Sequence, residues 1–163
     1  MQPYIHLHVH SQYSLLDGQA SIAKIVDKAK ADGMKAIALT DHGAMFGVKE
    51  FYNYVKKKNA PVFDAVKKLK KELAEAKDVN DTSKIEEIQK KIKEEESHLF
   101  KPIIGCECYV ARRGRNLKDG KQDMSGWHLV VLAKNLTGYK NLIKMVSYGW
   151  TEGFYMRPRI DKE

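Results

Sequence analysis

The segment Tyr4-Ile5-His6-Leu7-His8-Val9-His10 alternates aliphatic side chains with three imidazoles. A period of two predicts a β-strand, with Ile5, Leu7 and Val9 on one face and His6, His8 and His10 on the other. Three imidazoles side by side cannot all carry a proton comfortably. Neutral imidazole, by contrast, is a good ligand for zinc and related divalent ions. The segment therefore predicts a buried face on one side and a metal-ligating face on the other. Ser14-Leu15-Leu16-Asp17-Gly18 follows closely and adds a carboxylate, Asp17.

A chain of 163 residues with 43% hydrophobic content can build one sizeable core. It has no apolar run long enough to span a bilayer, and its N-terminus lacks the pattern of a signal peptide, so a cytoplasmic location and no membrane partner are expected. Cys106 and Cys108 are the two cysteines. On one extended strand that spacing suits reduced thiols better than an unstrained disulfide. The net charge of +8 fits a polyanionic partner, nucleic acid first, or ordinary solubility charge. Between 62 and 98 nine lysines face ten acidic residues, so the positive excess lies elsewhere in the chain.

Apolar runs and breakers then alternate strand and helix, the order expected of an α/β fold. Residues 21–30 carry Ile22, Ile25, Val26 and Ala29 at helical spacing and stop before Gly33, a C-cap signal. Residues 35–40 read as a buried strand leading into Asp41-His42-Gly43, and Phe46 to Lys58 as a helix. Pro61 marks a change of character. Val62, Val66, Leu69, Leu73 and Ala76, then Ile85, Ile88, Ile92 and Leu99, form two apolar seams. They predict an antiparallel helical hairpin over 62–98, with Ser83 and Glu86 as a capping box. Its Lys/Glu face is either simply solvated or an arm that touches a partner protein. Strands follow at 102–110 and 127–133, separated by a loop bearing Arg112, Arg113, Arg115, Lys118 and Lys121, and a helix is expected over 139–148.

Potential ligands fall at strand ends, where α/β folds build sites. His8, His10, Asp17 and His42 come first; Glu107 interrupts an apolar strand and His128 begins the next. A carboxylate buried in such a strand needs a cation, either a metal or a Lys or Arg partner. With four histidines in comparable places, the metal is the stronger reading. Imidazole with carboxylate suits zinc, manganese or iron better than magnesium or calcium. A carboxylate such as Glu107 can bridge two ions, and such clusters favour hydrolysis at phosphorus. Cys106 and Cys108, flanking Glu107, should point to the opposite face as packing residues.

These residues resemble a known family. His8-Val9-His10-Ser11, Asp17-Gly18, Thr40-Asp41-His42-Gly43 and Gly105-Cys106-Glu107 are similar to the successive motifs of the PHP (polymerase and histidinol phosphatase) metal-dependent phosphoesterases. Longer phrases resemble the N-terminal PHP domains of bacterial replicative DNA polymerase III alpha subunits: Ser14-Leu15-Leu16-Asp17-Gly18, Lys101-Pro102-Ile103-Ile104-Gly105, Leu132-Ala133-Lys134-Asn135, Gly138-Tyr139-Lys140-Asn141-Leu142 and Glu152-Gly153-Phe154-Tyr155. The resemblance covers the chain outside about 61–99, which reads as an insertion.

The resemblance implies a distorted (β/α)7 barrel with a metal cluster at its mouth. Residues 1–163 would form a partial PHP domain carrying the 62–98 hairpin. Implied ligands are His8, His10, Asp17, His42, Glu107 and His128, with Glu107, His42 and Asp17 closest to the chemistry and His6 and Asp41 orienting them. Two or three divalent ions, zinc or manganese, are implied. The family's later Asp-x-His ligands find no match, so the chain is expected to be a fragment of a longer polymerase whose nucleotidyltransferase centre lies elsewhere. Implied partners are DNA, the other domains of that polymerase chain and other replisome subunits. Arg112, Arg113, Arg115, Lys118 and Lys121 are the candidate nucleic-acid contacts. The domain would act as a 3′-5′ proofreading exonuclease or as structural support. The alternatives are a stand-alone phosphoesterase for a small phosphomonoester and a module that binds replication partners through the hairpin.

Overall fold

The computed structural model describes residues 4–124 and 126–162. In chain order the elements are α1 (Ile22–Ala31), β1 (Ala36–Leu39), α2 (Val48–Asp78), α3 (Thr82–Glu96), β2 (Lys101–Val110), α4 (Gly120–Asp123), β3 (Trp127–Leu132), α5 (Leu136–Thr151), β4 (Phe154–Tyr155) and β5 (Arg157–Ile160). The long strand β2 organises the sheet. Its first half runs parallel to β1, from Ala36 beside Lys101 to Leu39 beside Ile104. Its second half pairs antiparallel with β3, from Gly105 beside Leu132 to Val110 beside Trp127. Its last residues pair parallel with β5, which carries β4 on its far side. The result is a mixed α/β fold with parallel strand pairs at its centre. The described residues supply five strands, so the seven-strand closure implied by the resemblance is not built within them.

β1 is buried along its whole length, as its continuous apolar run predicts for a strand covered on both faces. Ile37 and Leu39 pack with Ile22 and Val26 of α1 and with Val48, Phe51 and Val55 of α2. Burying a side chain the size of Phe51 stabilises the fold by about 1.5–3 kcal/mol. A second cluster joins Cys106 and Cys108 to Leu142 and Ile160. Both thiols are free. Hydrogen bonding with Cys108, then burial, push the Cys106 thiol up, which suits an inert packing group.

Helix ends follow local chemistry. Ser21 caps α1 by accepting from the Lys24 amide. At the other end Gly33 adopts φ +78°, its amide donates to the Lys30 carbonyl, and the Met34 amide donates to the Ala29 carbonyl. This pair of bonds is the Schellman closure that a left-handed residue permits.

Three expectations are corrected. Residues 4–10 do not form a regular strand. His6 accepts from the Ala38 amide and Val9 from the Thr40 amide, so three residues on one side match two on the other. The extra residue, at the bend over Leu7 and His8, acts as a bulge that shifts the alternation of side chains. Ile5 and Leu7 accordingly remain exposed, and Val9 alone joins the core.

Pro61 does not divide the helices, since α2 runs through it. Packing on both sides overrides the local cost. Upstream, Asn59 donates to the Phe100 carbonyl at 2.8 Å and accepts from the Phe100 amide at 3.0 Å. Downstream, Val66 and Ala76 pack against Ile88 and Ile92 of α3. The helical pair expected over 62–98 is present, but its first arm is the outer half of a helix rooted in the core. The cap of α3 is Asp81, which accepts from the Lys84 amide, rather than the Ser83 box. Asn80, at φ +53°, makes the reversal, with its own amide bonded to the Lys77 carbonyl and that of Asp81 to the Ala76 carbonyl. Finally, β4 and β5 lie beyond the elements predicted from periodicity.

Candidate metal centre

The C-terminal end of β1 and the middle of β2 meet where the backbone of His42 lies beside Glu107. The Gly43 amide donates to the Glu107 carbonyl at 2.8 Å, and the Glu107 amide to the Asp41 carbonyl at 3.1 Å. Gly43 has φ +57°, and a Cβ there would come within 2.6 Å of Pro158, so both backbone and space require glycine. The turn from Ser11 to Gly18 brings Asp17 to the same place. A Cβ on Gly18 would lie 1.9 Å from the Ser11 carbonyl oxygen, an approach only glycine allows.

Glu107 is the centre of the constellation, with its side chain 3% exposed. Its Oε2 lies 2.7 Å from His8 Nε2, 2.9 Å from His10 Nε2 and 3.4 Å from His42 Nδ1. Its Oε1 contacts His128 Nδ1. On the far side His42 Nε2 meets Asp17 Oδ2 at 2.6 Å. The potential ligand atoms form two groups, His8, His10 and Glu107, and His10, Asp17 and His42, each with its atoms within 4.8 Å of one another. All six implied ligands are thus brought together. No lysine or arginine pairs with Glu107 among the described residues, so the alternative of a plain salt bridge to a basic side chain is not what the fold builds.

The electrostatics match. Burial pushes the Glu107 carboxyl up, but the His8 hydrogen bond and the charges of His42, His128 and His8 outweigh it and hold it below the usual carboxylate value. The His42 hydrogen bond likewise holds Asp17 down. Burial, then the charge of His42, lower His10. Carboxylates kept ionised beside an imidazole kept neutral are the protonation states a divalent ion requires. Two further observations fit such an ion. His8 Nε2 and His10 Nε2 face each other at 2.9 Å, and His42 Nδ1 is buried without a hydrogen-bond partner. Ring nitrogens crowded together around a carboxylate, or buried without a partner, are groups that a cation can satisfy.

Asp41 does not face the cluster. It is buried and accepts from the Ser11 amide at 2.7 Å, the Ser11 hydroxyl at 2.8 Å and the Ser14 hydroxyl at 2.7 Å. Because Ser14 gives its proton to Asp41, its oxygen accepts from His10 Nδ1 at 2.9 Å. That hydrogen bond fixes the proton on Nδ1 and leaves Nε2 free to ligate. Ser11 and Ser14 were not singled out from the sequence. Both lie within motifs quoted above, and the spacing Ser11-x-x-Ser14 beside a histidine is the signal that could have given them a role. His6 lies apart, its ring 4.8 Å from that of Tyr4, because the bulge puts it out of phase with His8 and His10.

The basic loop is largely engaged within the protein. Arg113 binds the buried Asp123, Arg115 pairs with Glu152 and Asp161, and Arg112 lies 4.9 Å over the Trp127 ring. Lys118 and Lys121 are exposed. Another arginine, Arg159, is fully buried and donates to the carbonyls of Gly153, Asp123 and Arg115, tying the loop to β5.

The sequence profile of the PHP domain matches residues 6–163. The chain is 43% identical over 163 residues to a DNA polymerase III subunit alpha of Borreliella burgdorferi, covering 98% of this chain and 10% of that protein. Proteins of the same name from Chlamydia pneumoniae, 36% identical over 161 residues, and Treponema pallidum, 37% identical over 163, are covered to the same extents. The chain therefore spans about a tenth of the length of these relatives.

Proposed function

We propose that this chain, which belongs to the PHP domain family, is the metal-dependent phosphoesterase-type domain of a replicative DNA polymerase alpha chain. The observation that carries the reading is the convergence of His8, His10, His42 and His128 on one buried carboxylate, Glu107. His8, His10, Asp17, His42, Glu107 and His128 would hold two or three divalent ions, zinc or manganese by the chemistry of the donors. Ions held there polarise phosphoryl oxygens and supply an activated water. The protein's own part is to keep Glu107 charged and rigid on β2, to fix the His10 tautomer through Ser14, and to hold Asp17 against His42.

The substrate we propose is the 3′ end of a DNA strand, which would make the domain a proofreading exonuclease; structural support of the polymerase is the second reading. The completed domain would be a distorted seven-stranded barrel with the 62–98 hairpin inserted in it. Nucleotidyl transfer, the other domains of the polymerase, the replisome subunits and a cytoplasmic setting belong to the same proposal. No described helix is long and apolar enough to cross a membrane. Lys118 and Lys121 are the cations of the basic loop best placed to meet DNA.

The test is Glu107→Gln in the full polymerase, with metal content measured by elemental analysis beside exonuclease and primer-extension assays. Metal and exonuclease should fall together, with extension largely retained. Full metal content in the variant, or loss of extension in step with nuclease while metal holds, would overturn the assignment.

A further inference from the structure

Arg157 stands apart from the other arginines of its neighbourhood. Arg113, Arg115 and Arg159 are each committed to carboxylates or carbonyls. Arg157 is exposed and, among the described residues, forms no ion pair; its guanidinium carbon lies 4.8 Å from the centroid of the Tyr109 ring. That ring is buried and packs on two of the candidate ligands. It stacks on His42 at 6.2 Å and 14°, and meets His128 edge-on at 5.0 Å and 85°.

Placement follows from register. Tyr109 is aligned with Arg159 in the parallel pair of β2 and β5, and Arg157, two residues earlier, projects from the same face of β5. The neighbouring Pro158 presses on Gly43, directly after His42. Met156, which precedes Arg157, holds φ +62° although its side chain is exposed and gains no burial in return. Backbone strain of that kind persists where surrounding structure imposes it. Here it turns the chain between β4 and β5 and brings Arg157 over the Tyr109 ring, which packs on His42 and His128.

An arginine stacked on an aromatic ring beside a cluster built for cations would be repelled once the cluster is filled, unless an anion lies between them. Guanidinium presents paired donors that match phosphate oxygens. We infer that Arg157, braced on Tyr109, is a substrate-binding residue that takes the non-bridging oxygens of the phosphoryl group presented to the metal centre. The inference rests on the reading of that centre as a phosphoesterase site.

The experiment measures, in the intact protein, Mn²⁺ binding and then binding of inorganic phosphate to the Mn²⁺-loaded form. It compares wild type, Arg157→Gln, Arg157→Lys and, as a control on the outer face of α5, Lys144→Gln. Loss of one charge-assisted paired contact should weaken phosphate roughly 10- to 100-fold in Arg157→Gln, with Arg157→Lys intermediate. Mn²⁺ affinity should be unchanged throughout, and Lys144→Gln should match wild type. Equal phosphate affinity in Arg157→Gln and wild type overturns the anchor and leaves the metal centre standing. Joint loss of Mn²⁺ and phosphate in Arg157→Gln assigns the residue to the fold and also overturns it. A wild-type protein that binds no Mn²⁺ removes the metal reading, and the anchor with it.

Discussion

Replacing Ser14 by alanine separates support of the cluster from ligation itself. Ser14 is buried, and its hydroxyl meets Asp41 at 2.7 Å, His10 Nδ1 at 2.9 Å and the His42 amide at 3.2 Å. Removing it deletes one bond to a buried carboxylate, about 1.5–3 kcal/mol, and leaves a donor on His10 unmatched, about 1–3 kcal/mol. Asp41 keeps its two bonds from Ser11, so the combined loss should fall in the lower part of the summed range, about 2.5–4 kcal/mol. Urea unfolding without added metal reads that loss. Metal affinity should drop as well, by roughly 10- to 100-fold, because the His10 ring is no longer held with Nε2 free. Ser11→Ala is the control: it removes a bond to Asp41 without touching His10, so it should cost stability with a much smaller loss of metal. If Ser14→Ala bound metal as tightly as wild type, or lost no more metal than Ser11→Ala, the tautomer argument would be refuted.

Other outcomes follow from the helices. Pro61→Ala should stabilise the protein by about 1–3 kcal/mol, since an exposed proline inside α2 removes a helical hydrogen bond that alanine restores; an unchanged or lowered unfolding midpoint would count against a continuous helix. Asn59→Ala should cost about 2 kcal/mol by unpairing both backbone groups of Phe100, again read by urea unfolding. Because those two bonds hold the roots of the helical pair together, replacing 62–98 by a short loop should leave the melting temperature and metal binding nearly unchanged. A large drop in melting temperature would show that the outer arm supports the core.

The sequence was most legible where a single period or breaker governs an element. The buried run at 36–39, the four-residue steps of α1 and the seams of the helical pair each dictate one local structure, and the structure contains them. Pro61 misled because a local cost of about 3 kcal/mol is smaller than the packing on its two sides. The histidine segment misled differently. Alternation identifies faces only while the ladder has equal counts on both sides, and the extra residue between His6 and Val9 breaks that equality. His8 and His10 reach the cluster, whereas His6 does not. The residue types that gather at Glu107 were readable because imidazoles and carboxylates recur where the strands end. The Ser11, Ser14 and Asp41 arrangement and the position of Arg157 were not, since serines near a turn and an arginine after a short strand have many ordinary explanations, and only the register of β5 against β2 brings Arg157 to the site.

The single rung between His42 and Glu107 has a mechanical consequence. These residues stand 65 positions apart in sequence, with the whole helical pair between them, yet two backbone hydrogen bonds fix their separation. The helical pair feeds into β2 at Lys101, beside Ala36 at the opposite end of β1 from His42. The pair therefore rejoins the sheet several ladder bonds before the cluster, whereas its first helix, α2, leaves from Val48, six residues after His42. What holds the two sides of the cluster at a set spacing is thus the sheet rung itself, a short-range clamp across a long stretch of chain.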